Sequence, residues 1–255
     1  MVDGGAVAIA DVASLSQFPI EGEPYSRHHV YPDMLAERLR GFGPLGIVAI
    51  LVITFPGNIV IDRFMVLPLG AVLVLVWAHL SRTPWREIGF VRPRSWLATV
   101  AGGVVFGVAF KFLMKAIVMP PLGADPINHA YHFLAGNRTM LPAAVFSMIA
   151  GAGFGEETRF RGYAFERLGK LFGTSRVAKT IIVLLTSLWF GVVHFPEQGL
   201  AGAEQATIVG LTFGAIFAVT GEIWMLLCAH AAFDLTALAI IYWDAESAVA
   251  HVVFK

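Results

Sequence analysis

Seven runs of roughly 20 predominantly apolar residues, opening at about Leu45, Phe64, Trp96, Leu141, Val177, Gln205 and Glu222, constrain this chain more than any other feature. A helix rises about 1.5 Å per residue, so each run is close to the length needed to cross a hydrocarbon core of about 30 Å. Of the 255 residues, 57% are hydrophobic and only 14% charged, and the mean hydropathy is +0.71. A water-soluble domain carries nearer a quarter charged residues, spread along its length. Here the charges gather between the runs. The spacing predicts an all-α, polytopic transmembrane bundle of about seven to eight helices, with a polar N-terminal arm over 1–43, one membrane domain over 44–245 and a short tail over 246–255.

The arm is expected to hold one short amphipathic helix near 31–42. Its first residues lack a basic segment and a long apolar stretch, so a cleavable signal peptide is not expected. The first two runs are short and separated only by Asp62 and Arg63, which suits a helical hairpin or one re-entrant element. Arg82, Arg86, Arg92 and Arg94 fill the 81–95 loop, and six basic residues from Arg159 to Lys179 fill a second polar stretch. The 119–140 connection carries only Arg138 as a basic residue, and 195–204 carries none. The positive-inside rule then sets the N-terminus in the cytoplasm, in a cell (inner) membrane. The net formal charge of zero excludes the basic face that nucleic-acid phosphates require. Membrane lipid is the expected surrounding, and the single Cys228 permits no internal disulfide. Oligomeric state is not legible.

Several polar and aromatic residues are read as structural. Trp77, Trp85, Trp96 and Trp243 fall near the ends of runs and suit an interfacial belt. Lys111 and Lys115 suit snorkelling to the interface. His129 and His132 are read as solvated loop residues in preference to metal ligands. Gly151, Gly153 and Gly155 suit close helix approach.

Three apolar segments hold polar groups that need a stronger reason, since each charge facing lipid costs on the order of 2.5–3.5 kcal/mol. In GAGFGEETRFR, Glu157 and Arg161 share a helix face at i,i+4 and can pair, while Glu156 points about 100° away. In TSLWFGVVHF, Phe190 and His194 are four apart. In LLCAHAAFD, His230 and Asp234 share a face, and a carboxylate so placed can fix the tautomer of an imidazole. Together Glu156, Glu157, His194, His230 and Asp234 would cost roughly 10 kcal/mol or more if all faced lipid. They are therefore expected to converge. Such a set can activate a water either through a metal acting as Lewis acid or through a Glu acting as base.

EETRFR, FGVVH and HAAFD resemble the EExxxR, FxxxH and HxxxN/D motifs of the CPBP family, which includes the CAAX prenyl endopeptidases and bacterial abortive-infection proteins. The resemblance spans about 141–242, and WREIGF is similar to a segment often found upstream in bacterial members. It implies an intramembrane endopeptidase acting on a membrane-embedded or lipid-anchored peptide or protein, which could be CAAX-prenylated. Glu156 would activate water with help from His194, His230 and Asp234 would stabilise the oxyanion, and Glu157, Arg161 and Phe190 would support them. No cofactor is obligatory on this reading, and zinc held by Glu156, His194 and His230 stays open beside glutamate chemistry. One departure matters: Asp234 stands where the CAAX-processing branch has Asn, and an ionised Asp cannot donate to an oxyanion. It would have to be protonated or orient His230. The rival class is a non-catalytic membrane scaffold or bacteriocin-immunity factor that uses the same cluster to bind a partner. A proton-coupled transporter would be expected to show repeat symmetry, which the chain lacks.

Overall fold

Charged residues at one end and glycines in the middle organise the bundle. The computed structural model describes residues 27–55 and 63–254; of 27–32 and 63–67 the backbone alone is described. In chain order the helices are α1 (Arg27–Arg40), α2 (Pro44–Thr54), α3 (Arg63–Leu80), α4 (Trp96–Leu113), α5 (Leu141–Phe146), α6 (Ala164–Phe172), α7 (Arg176–Thr220), α8 (Trp224–Tyr242) and α9 (Glu246–Ala250). No strand occurs among the described residues. The chain is an all-α membrane bundle.

Local sequence sets the boundaries. Ser95 and Ser175 accept hydrogen bonds from the backbone N–H groups of Ala98 and Ala178 and so cap α4 and α7. Gly221, in the left-handed region at φ 65°, ends α7. Gly199, at φ 66°, breaks α7 into two limbs, so this one element supplies two of the expected spans. Between α5 and α6 the chain runs as wide π-helix through Ser147–Glu156 and Thr158–Tyr163. Such turns concentrate at functional sites.

Three helical stretches are long and apolar enough to cross a membrane: Trp96–Val118, Arg176–Thr220 and Trp224–Tyr242. The described part of α2 spans only about 16 Å, half the hydrocarbon thickness, and the Asp62 side of the expected hairpin lies outside the described residues. Most of the expected polar arm lies outside them too, although α1 overlaps the amphipathic helix foreseen there.

In lipid, apolar surface alone does not drive helices together, so close packing and polar contacts must. A Cβ at Gly103 would lie 2.6 Å from Met225 O, and one at Gly153 would lie 2.9 Å from Ala231 Cβ. These glycines let α4 and the π-helical stretch approach opposite sides of α8. Phe110, Phe160, Phe190, Phe213, Phe233 and Leu226 fill the space between, whereas Leu97, Val105, Val192 and Val219 point outward.

Two interfacial readings are corrected here. Trp77 is only 3% exposed and donates from Nε1 to Leu39 O at 3.0 Å, so it belongs to the core. Lys111 is buried beside Gln205 Oε1 at 3.2 Å, with its ammonium 4.6 Å from the Phe233 ring centre. Position along the run suggested an interface, but tertiary partners make burial tolerable. The 159–179 stretch is likewise split. Arg161 and Arg167 are buried, while Lys170, Arg176 and Lys179 are exposed. Lys170 meets Glu87 at 3.0 Å and Arg167 donates to Arg40 O at 2.7 Å, so α1, the 81–95 loop and α6 gather at one end of the bundle.

Candidate active site

The π-helical stretch carries two adjacent carboxylates that point apart. Glu157 is fully buried, and its Oε1 accepts from Arg161 Nη1 at 2.9 Å one turn along the same stretch. Arg161 is 2% exposed, lies 4.9 Å and 5.6 Å from the ring centres of Phe190 and Phe213, and reaches Gly210 O at 3.5 Å. A buried guanidinium is tolerable when carboxylate, carbonyl and aromatic faces surround it. Here all three do.

The same Glu157 oxygen also binds His230 across the bundle, at 2.6 Å from Nδ1. Because a carboxylate oxygen accepts, Nδ1 carries the proton and the ring is fixed. The orienting carboxylate of His230 is thus Glu157, 73 residues away, and not its helix neighbour Asp234. Nε2 lies 3.7 Å from Glu156 Oε2 and 3.8 Å from Asp234 Oδ2. Phe190 and Phe213 hold the imidazole edge-on, with ring centres 6.0 Å and 5.6 Å away.

Glu156 is buried, and its Oε2 has no hydrogen-bond partner among the described residues. Leaving a buried carboxylate oxygen unpaired costs free energy, and a catalytic role is one accepted reason for it. His194, at the end of the first limb of α7, is close enough to act on Glu156 electrostatically. Its Nδ1 donates to Phe190 O at 2.7 Å, which leaves Nε2 as the acceptor nitrogen. The interaction also gives Phe190 a backbone role, besides the 4.5 Å ring contact it makes with His194.

The structure therefore brings Glu156, Glu157, Arg161 and His230 into one buried network, with the half-buried Asp234 at its edge and Phe190 and His194 beside it. Among the described residues no three His, Cys, Asp or Glu side chains are set to hold one metal ion.

With this geometry in place, comparison with known families gives a match over residues 137–236 to the type II CAAX prenyl endopeptidase Rce1-like family. Residues 137–236 are thus similar to an Rce1-like domain. The match covers less than half of the chain but contains all three motif blocks, and it supports a CAAX-type intramembrane protease of the CPBP family in general. No curated protein and no solved structure matches the chain.

Two cavities flank the Rce1-like site, each of about 320 Å³. One is polar, lined among others by Lys111, Lys115, Asn128, Glu197, Gln205 and Glu246. It opens one turn beyond His194 and does not touch Glu156 or His230. The other is apolar, lined by Ile50, Ile53, Phe55, Leu185 and Trp189, with Arg159 at its wall.

Sequence reading missed two partners near the site. Gln198, one turn after His194, donates from Nε2 to the hydroxyl of Tyr131 at 3.2 Å. Its i,i+4 relation to His194 was the available signal. His132, read as a solvated loop residue, binds the buried Glu246 at 2.8 Å from Nδ1, a link that no local pattern announces.

Proposed function

We propose that the protein is an intramembrane endopeptidase that cleaves a peptide bond in a membrane-embedded or lipid-anchored substrate, with Glu156 as general base. The observation that carries this is the buried Glu156 oxygen without a partner, beside two imidazoles, in the Rce1-like domain. A water between Glu156 and the acceptor Nε2 of His194 loses its proton to Glu156 as its oxygen bonds to the scissile carbonyl carbon. The resulting oxyanion is met by Nε2–H of a His230 protonated on both nitrogens, whose charge Glu157 balances and whose ring Glu157 and Arg161 hold in place. The C–N bond then breaks, and Glu156 returns its proton to the leaving nitrogen. No step needs a resident metal. A chelator therefore leaves the rate unchanged, and a metal content tracking activity would end this version of the chemistry.

The apolar cavity beside Arg159 supports a substrate with a lipid chain, since its lining offers few polar partners. The basic end formed by α1, the 81–95 loop and α6 would face the cytoplasm.

The test is cleavage of a fluorescence-quenched, farnesylated peptide by protein reconstituted in phosphatidylethanolamine and phosphatidylglycerol vesicles, with the unlipidated peptide in parallel. Glu156→Gln keeps the shape and removes the base. It should lower kcat by about 10³-fold, within the range for a positioned general base, with no loss of thermal stability. Unchanged cleavage in Glu156→Gln would sink the mechanism, and a scaffold would tolerate the change in every assay.

A further inference from the structure

The three motif blocks offer the oxyanion one side-chain donor, Nε2–H of His230. A peptidase must donate to the oxygen that becomes negative in the transition state, and an ionised Asp234 would only accept where an amide could have supplied N–H groups. Any replacement must come from outside the motifs.

Tyr131 is placed to do this. It precedes the single-turn helix His132–Leu134, and its backbone N–H bonds to Asn128 O at 3.0 Å. Its ring packs on the cluster of Leu134, Ala144, Leu238 and Ile241, of which Leu238 lies one turn after Asp234 on α8. Its hydroxyl oxygen is held by Gln198 Nε2, one turn after His194 on α7. The phenol is thus pinned between the two helices that carry the imidazoles.

Three acids from three elements, Glu197, Asp234 and Glu156, are close enough to act on the phenol. Burial first, and those acids next, push its ionisation well above the ordinary tyrosine range. It stays a neutral O–H donor at any pH the protein meets. Glu197 is one carboxylate near enough to draw on that hydrogen, but a developing oxyanion is far more basic than a carboxylate and draws the donor to itself.

We propose that Tyr131 is a catalytic residue of this peptidase, donating its O–H to the oxyanion in place of the amide that Asp234 lacks. The proposal rests on the peptidase reading above. In the same vesicle assay, Tyr131→Phe removes one oxygen and nothing else. It should lower kcat by about 10²-fold, the scale for losing one oxyanion donor, with KM within about twofold and an unchanged melting temperature. A role confined to packing would not respond to the chemistry at position 234, so the decisive arm is the Asp234→Asn background. There an amide donor is restored, and adding Tyr131→Phe should cost less than about fivefold.

Two results overturn the proposal alone while Glu156→Gln still abolishes cleavage. One is a Tyr131→Phe protein with wild-type kcat. The other is an equal loss from Tyr131→Phe in both backgrounds, which would mark a structural residue. Wild-type protein that cleaves neither probe peptide overturns the peptidase reading and this proposal together.

Discussion

Two histidine–glutamate pairs of nearly the same geometry sit at different depths of this bundle. His230 Nδ1 meets Glu157 at 2.6 Å and His132 Nδ1 meets Glu246 at 2.8 Å. Both carboxylates are almost fully buried, with Glu157 at 0% and Glu246 at 1% exposure. The difference lies behind and beyond each pair. Glu157 is backed by Arg161, and the far nitrogen of His230 looks onto Glu156 and Asp234. Glu246 is backed by the Asn128 N–H at 2.7 Å, and the His132 side chain is 42% exposed. An oriented imidazole is therefore not enough to make a site. What distinguishes the inner one is a surplus buried acid with an oxygen left unpaired.

The sharpest way to break this comparison is to remove the ion behind the inner pair. Arg161→Gln leaves Glu157 buried without its counter-ion, and losing one partner of a buried pair costs about 3–5 kcal/mol. Unfolding in mild detergent should show that loss, together with a cleavage rate reduced beyond what instability explains. A loss under about 1 kcal/mol would mean that His230 alone compensates Glu157. The double change Glu157→Gln with Arg161→Gln should recover most of the stability, because neither charge then remains, but not the activity, because a neutral amide no longer balances the charged form of His230.

The outer pair answers more weakly. Glu246→Gln keeps an acceptor for the Asn128 N–H but weakens the bond to His132, so a loss of about 1–2 kcal/mol is expected, the scale of a charged hydrogen bond. His132→Ala should cost about as much, since it removes the same bond from a buried carboxylate, with water at the half-exposed His132 position limiting the loss. Both variants should cleave within twofold of the wild type. A tenfold fall in His132→Ala would place the loop pair in the chemistry and erase the distinction drawn here.

These differences show what the sequence could and could not say. Glu157 and Arg161 pair at i,i+4 on one helical stretch, a relation any helix enforces, and so it was legible from spacing alone. The convergence of the polar blocks was legible too, because the cost of exposing them to lipid is far larger than any single helix can offset. The partner of His230 was not. Asp234 has the right spacing, yet Gly153 lets the π-helical stretch come close enough to α8 for Glu157 to take the nitrogen instead. Trp77 and Lys111 were misplaced for the same reason. Their positions near the ends of apolar runs are facts of sequence, whereas Leu39 O and Gln205 Oε1 as partners are facts of packing. The family match spans the three blocks and does not resolve such contacts.

The smallest expected effect concerns the loop that carries Tyr131 and His132. Asp125 accepts from the Ile127 backbone N–H at 2.8 Å and faces His129 at 3.1 Å. Those two interactions hold its carboxyl below the ordinary range, the backbone bond being the larger cause. A carboxyl whose folded value is depressed contributes most above its unfolded value, and the contribution fades as pH falls through the folded one. The Ile127 amide resonance should therefore stay constant down to about pH 4, the unperturbed Asp range, and move only below it. In Asp125→Asn the same amide should not titrate at all. Asp125 is exposed, so neither the melting temperature nor the cleavage rate should follow. If cleavage instead falls with the Ile127 signal, the loop is coupled to the buried acids through Tyr131, and the two regions contrasted here act as one.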